Sequence, residues 1–554
     1  MNHKKLLRYR FALCFNVAAL FMLLYLCAPL AASAASQTAA PDKRFGGTYT
    51  RPLLGDPSSL DPAHATDIYA SIVVNQLFDG LVQFDSHLNP IPALAGFWEA
   101  SPDGLTWTFY LRKGVKFHHG REVTAKDFVY SFTRLLDPAT KSRVARRFKH
   151  IRGAEAFRSQ KGSRVEGLQA LDRYTLQITL TRPYTALLSV LAMANMKVVP
   201  REIVEQTDKP FGEHPVGTGA FSFRKWERNQ RIVLDAYKAY HEGRPYLDQV
   251  QFKIGKQDAE MLEAFLRGEL EESMVPSSKI GEIQNHPRYR NYVHLRKPLL
   301  HVLYIGFNTQ KPPFTNRKVR QAFNYAINKE AIVREIRNGN ANVAYGILPP
   351  GMPGYDPTIK GYYYNPSRAR ELLAEAGYSD GQGLPAIDLW YSTKETTGQR
   401  EMEAYRDDLA AIGVKINIRK AKDWPTFKEL LNAGTPAMFR LAWHSDIPDP
   451  DNVFFPLLFS QSRLNRTFYR NAKIDKVIEQ ARGQRDYMQR IQLYREVERR
   501  VLDDANWISQ HHRVFENLYQ PYVRGIEVTS AGIQYIPMKK VWLQRAGNQR
   551  ASQP

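Results

Sequence analysis

No cysteine follows Cys27 in this chain of 554 residues. Everything beyond that point must therefore fold without disulfides, on buried apolar surface alone. The residues before it explain why. Lys4, Lys5, Arg8 and Arg10 form a basic start, Phe11 to Leu26 is an apolar run without a charge, and Ala32-Ser33-Ala34 is a small-x-small pattern. These are the parts of a secretory leader. The expectation is a signal peptide over 1–34, cleaved after Ala34, and a periplasmic mature chain. A spanning helix needs about 20 apolar residues, and this run is shorter. Leu26 and Tyr25 precede Cys27 where a lipoprotein needs a small residue, so lipidation is not expected. The mature chain, about 520 residues, is long enough to bury large cores and divides into about three lobes on ordinary domain sizes.

The net charge is +22, and losing the four basic leader residues lowers it to +18. Lys and Arg are scattered among 55 acids without a long basic run, so no nucleic-acid partner is expected. Two strands are legible from period-2 alternation. Trp107, Phe109 and Leu111 alternate with Thr106, Thr108 and Tyr110; Leu176, Ile178 and Leu180 alternate with Thr175, Gln177 and Thr179. Two helices show a 3.6-residue stripe. Val319, Ala322, Phe323, Ala326 and Ile327 mark one; Ala369, Leu372, Leu373 and Ala376 mark the other, with Asn365 as N-cap, Pro366 at N1 and Gly377 as terminator. The fold class is α/β, with helices packed on sheets.

Catalytic patterns are missing. There is no P-loop, no Gly-x-Ser-x-Gly elbow, and Gly217-Thr218-Gly219 lacks the third glycine of a dinucleotide fingerprint. His118-His119 precedes Gly120 and reads as a turn before it reads as a metal site. Asp446, Asp449, Asp451 and Asn452 superficially suggest a calcium loop, but Pro448 and Pro450 interrupt it and the central Gly and terminal Glu are missing. No metal, cofactor or enzymatic activity is expected. Aromatics are 12 % of the chain, with 29 Tyr, 28 Phe and 8 Trp. Most belong in cores, and some could line a cleft.

Landmarks in order carry a family resemblance. They are Ser59-Leu60-Asp61-Pro62, Leu77-Phe78-Asp79-Gly80-Leu81, the stretch Trp107 to Asp127, Pro215 to Phe221, Val319 to Ile332 and Leu372 to Tyr378. From about Phe45 to Arg545 the chain resembles the peptide- and nickel-type extracellular solute-binding proteins of ABC importers. The resemblance implies a two-lobed periplasmic-binding-protein fold of the large, three-part type, with hinge closure over a central cleft. One lobe would combine 36–78, 201–305 and 515–546; 79–200 would be an inserted part, 306–514 the second lobe and 547–554 a flexible tail. It also implies a short peptide as ligand, a monomer, and an ABC permease at the inner membrane as partner. Gly217 and Gly219 would stand where the backbone needs positive φ or close approach.

Site residues follow from the same resemblance. Arg440 to Asp446 is similar to the segment that lines the peptide. Ala442 and His444 would offer backbone to an extended ligand as an added strand. Asp446 would hold the ligand's ammonium, Arg440 its C-terminus, and Trp443 would be an apolar wall. Thr66, Asp67 and Ile68 would form a strand opposite, with Tyr304 and Arg337 as further contacts. Val144 stands where the oligopeptide-binding members have an aromatic contact, which leaves ligand length open. A non-peptide solute is the alternative: an oligosaccharide, an opine-like compound or a metal chelate, held by stacking. An envelope enzyme or chaperone on the same scaffold would need a catalytic constellation, and none is legible.

Overall fold

The computed structural model describes residues 42–206, 210–255, 257–392 and 396–544. The leader with Cys14, Cys27 and the Ala34 cleavage position, and the tail 547–554, lie outside them. Three larger sheets organise the rest. The first is four-stranded, in the order Thr48–Leu53, Gln249–Ile254, Arg231–Ala236, Phe221–Glu227. The second, also four-stranded, runs Ala95–Ala100, Thr106–Leu111, Thr175–Thr179, Leu168–Ala170. Both alternating segments are therefore strands, and they pair with Phe109 opposite Leu176.

The third sheet has eight strands. At its centre is the 13-residue strand Trp507–Tyr519. Its first half pairs with His301–Phe307 and Ala341–Val343, and its second half with Val293–Pro298 and Glu272–Met274. Beyond His301–Phe307 the order continues through Met438–His444, Ile387–Tyr391 and Ile416–Lys420.

Local chemistry sets the element ends. The stripe at Val319 lies on the helix Arg317–Ala326, whose Asn316 side chain accepts from the N–H of Lys318 at 2.9 Å. The second stripe lies on Pro366–Glu375, where Asn365 accepts from the N–H of Arg368 at 3.0 Å. Gly377 follows at φ 89°, a conformation that favours glycine. Gly217 and Gly219 serve close approach only. A Cβ at Gly217 would lie 2.0 Å from the carbonyl oxygen of Leu77, and one at Gly219 2.4 Å from that of Gln76, at the end of the helix Ile68–Leu77.

Apolar burial falls into separate cores. One is drawn from residues 81 to 198 plus Ile447 and includes Phe109, Phe128 and Phe148. Another joins Tyr49, Phe78, Phe221 and Phe252 to Ile536 and Val541. A smaller one holds Met261, Phe265, Ile280 and Leu518. The other two cover opposite faces of the large sheet, so neighbouring residues split between them: Ile305, Met438 and Ile508 go to one, Tyr304, Phe439 and Trp507 to the other. Each large side chain so buried contributes about 1.5–3 kcal/mol.

One buried acid sits uneasily in this frame. Glu498, 1 % exposed on the helix Tyr487–Asp504, accepts the N–H groups of Ile347 and Leu348 on Oε1 at 2.6 and 3.0 Å. Its Oε2 has no partner, and burial pushes the carboxyl up to about 7 from 4.5. Ionisation therefore costs the folded state stability as pH rises from 4.5, and fully above 7. Glu498→Gln keeps the acceptor and removes the charge. It is expected to raise the melting temperature more at pH 8 than at pH 5, and equal shifts at both would contradict this. Gly217→Ala is expected to lose about 1–3 kcal/mol through overpacking, measured by urea unfolding.

Candidate ligand cleft

Met438–His444 is a strand with one open flank. It runs antiparallel to His301–Phe307, with His301 opposite His444 and Leu303 opposite Ala442. The N–H of Ser445 donates to the carbonyl of Leu300, and that of Asn308 to the carbonyl of Ala437. Odd-numbered residues of the strand thus turn their N–H and C=O groups toward His301–Phe307. By alternation, Ala442 and His444 turn theirs the other way. On that side the ladder to Ile387–Tyr391 covers only Met438 and Phe439. Among the described residues no strand pairs with the backbone of Ala442 and His444 on that side, and both residues are exposed.

Alternation also divides the site residues expected from the sequence. Arg440, Ala442 and His444 share the face of Met438, whereas Trp443 shares the face of Phe439. Trp443 packs against the core that contains Phe454 and Tyr494, so it backs the strand. Tyr304 lies on that same face, 1 % exposed, its ring centroid 4.6 Å from that of Trp507. It is a core residue here and does not join the others. Thr66, Asp67 and Ile68 correct the expected strand: Asp67 caps the helix Ile68–Leu77. Its carboxylate accepts from the N–H of Ala70 at 2.8 Å and of Ser58 at 3.1 Å, and from the Ser58 hydroxyl. An aspartate immediately before the first helical residue is better used as a cap than in a ladder.

On the face of Arg440 lies a charge cluster. Glu401, fully buried on the helix Thr396–Ala410, accepts from Arg440 Nη2 at 2.9 Å and Nε at 3.1 Å on one oxygen. Its other oxygen accepts from Arg337 Nε at 2.6 Å. One carboxylate thus serves two guanidiniums. The buried imidazole of His511 stands 3.8 Å from Glu401 and is held neutral, pushed well below its ordinary value by burial and by Arg337. His301 and His444 follow, with ring centroids 6.4 Å apart. Loss of solvation around the ring lowers the His444 value; Asp446 opposes the shift and Arg513 adds to it.

Asp446 stands just past the strand, half exposed, and its Oδ2 accepts from Arg147 Nη2 at 2.8 Å. Its N–H donates to Asn452 Oδ1 at 3.0 Å. The neighbouring acids are taken by arginines: Asp449 by Arg490 at 2.6 and 3.0 Å, and Asp451 by Arg482 at 2.9 Å. That leaves the calcium-like spacing with a structural use. His118 and His119 sit in a turn, bonded to the Gly217–Gly219 backbone and to Glu202 respectively.

A cleft of about 560 Å³ adjoins the cluster. Ser277 and Ser278 line it from one side, and Arg337, Thr396, Arg400 and Arg513 from the other. Sequence reading missed Glu401, Arg147 and Arg513, the residues that set the electrostatics.

Three comparisons place this geometry. The family described as bacterial extracellular solute-binding proteins, family 5 Middle, matches residues 89–465. Heme-binding protein A of Haemophilus influenzae is 32 % identical over 474 residues, covering 81 % of this chain and 84 % of that protein. The periplasmic murein tripeptide binding protein MppA, in its unliganded open form, is 25 % identical with a TM-score of 0.79, over 90 % of this chain and 97 % of that one. DppA from Helicobacter pylori in complex with the peptide STSA is 28 % identical with a TM-score of 0.71, over 91 % and 99 %. The fold is that of the two-lobed periplasmic binding proteins, and the chain belongs to the bacterial extracellular solute-binding proteins of family 5.

Proposed function

We propose that this protein captures short peptides in the periplasm and delivers them to an ABC permease at the inner membrane. In this reading the leader is cleaved after Ala34 and the mature chain works as a monomer. The lobes are 36–78 with 201–305 and 515–546, and 306–514, with 79–200 inserted; the separate apolar cores support that division. The observation that carries the ligand class is the strand edge at Ala442 and His444, with which no described residue pairs, next to a carboxylate. An extended peptide would add its backbone there, which gives affinity without reading side chains. Its ammonium would reach the Oδ1 of Asp446, beside the oxygen that Arg147 already uses.

The likeness to an unliganded open form exceeds that to a peptide complex, 0.79 against 0.71, although the identity runs the other way, 25 % against 28 %. This supports reading the exposure of Asp446 as that of an open cleft. Closure would bury the pair and strengthen it, because a desolvated ammonium needs a charged partner.

Native mass spectrometry of protein purified undenatured from its own periplasm tests the ligand class. Masses that fragment as peptides of two to five residues are expected. A porphyrin, sugar or metal-chelate adduct would overturn the peptide reading. Asp446→Ala is expected to weaken peptide binding by about 1.5–3 kcal/mol, the scale of a hydrogen bond to a charged group. Unchanged affinity by calorimetry would remove Asp446 from the site.

A further inference from the structure

Two cations of the cleft lining, Arg400 and Arg513, have no acidic partner among the described residues, whereas Arg337 and Arg440 meet the buried Glu401 behind it. Among the described residues Arg400 reaches the carbonyl oxygen of Glu335, at 3.5 Å. Asp258 is the one acid among the described lining residues.

Arg513 is the most exceptional of the four. It is the one exposed residue on the 13-residue strand Trp507–Tyr519; the other twelve are buried. Its backbone is fully engaged, the N–H donating to His301 Nδ1 at 3.4 Å and the C=O accepting from Leu299 at 2.8 Å. Its guanidinium makes no hydrogen bond or ion pair among the described residues. Its N–H partner His301 stands directly opposite His444 in the sheet, so Arg513 lies beside the strand edge. At the other end Asp446 is already neutralised by Arg147. A neutral zwitterionic peptide would bring one ammonium to the Asp446 carboxylate that Arg147 shares and only one carboxylate to two cations, Arg400 and Arg513.

We infer that Arg513 is a specificity-determining residue which pairs with a ligand carboxylate, and that the preferred ligands are acidic peptides, carrying net negative charge at neutral pH. An arginine presents a planar fork that fits a carboxylate through two hydrogen bonds. In a cleft that closes, that pairing is desolvated, and the surplus positive charge also speeds capture of anions. This inference rests on the peptide reading of the same cleft.

Titration calorimetry with Ala-Glu-Ala, Ala-Ala-Ala and Ala-Lys-Ala separates the two. The wild-type protein is expected to bind Ala-Glu-Ala about 10-fold tighter than Ala-Ala-Ala, with Ala-Lys-Ala weakest and the spread narrowing as salt is raised. Arg513→Gln should collapse the spread to about 2-fold, and Arg513→Lys should restore part of it. An unchanged melting temperature in both variants is expected, since the guanidinium has no partner to lose. Equal binding of all three peptides, or an acidic preference that survives Arg513→Gln, would overturn this inference and leave the peptide reading intact. Binding of none of them would overturn the peptide reading itself.

Discussion

Backbone hydrogen bonding along Trp507–Tyr519 is the constraint on which the other elements depend. A strand of 13 residues in which twelve are buried cannot leave its N–H and C=O groups unpaired, because each orphan would cost about 1–3 kcal/mol. Four other strands meet that demand, two at each half. They come from residues 272–274, 293–298, 301–307 and 341–343, so the chain must return to this strand again and again before it is made. The strand forms late in the sequence and closes contacts with segments 168 to 247 residues away, which makes the topology non-local and slow to assemble. The open flank of Met438–His444 follows from the same arrangement. His301–Phe307 occupies one side of it, and among the described residues the other side pairs with Ile387–Tyr391 at two positions.

Features with a local cause were legible in the sequence. The strands at Thr106 and Thr175 rest on alternation, and the helices at Val319 and Asn365 rest on a stripe and a cap; each is a property of fewer than 15 consecutive residues. Gly217 and Gly219 were recognisable as special positions, but their reason was steric and lay 140 residues away at Leu77. Thr66 to Ile68 misled because the Asp67 cap and an extended strand start look alike until the helix that follows is placed. Parity separated Tyr304 and Trp443 from Arg440, and parity is fixed only once the register with His301–Phe307 is known.

The electrostatics were the least legible part. Arg147 meets Asp446 across 299 residues, and Arg440 meets Glu401 across 39. Nothing in the local sequence marks those partners, since arginine and glutamate are most often solvated. The structure uses many of its excess arginines in buried or half-buried pairs, including Arg51 with Glu272 and Arg490 with Asp449. Such pairs do little for net stability but are strongly destabilising to break. They fix which carboxylates remain for a ligand. By that accounting Asp446 is a shared group and Arg513 an open one.

Since Trp507–Tyr519 contributes Ile508 and Trp507 to the two cores of the large sheet, and Leu518 and Tyr519 to two further cores, it joins four cores at once. Loss of one of these cores would pull on the register that the others share along this strand. The protein is therefore one thermodynamic unit despite its several cores, and ligand captured between the lobes would protect residues that never touch it.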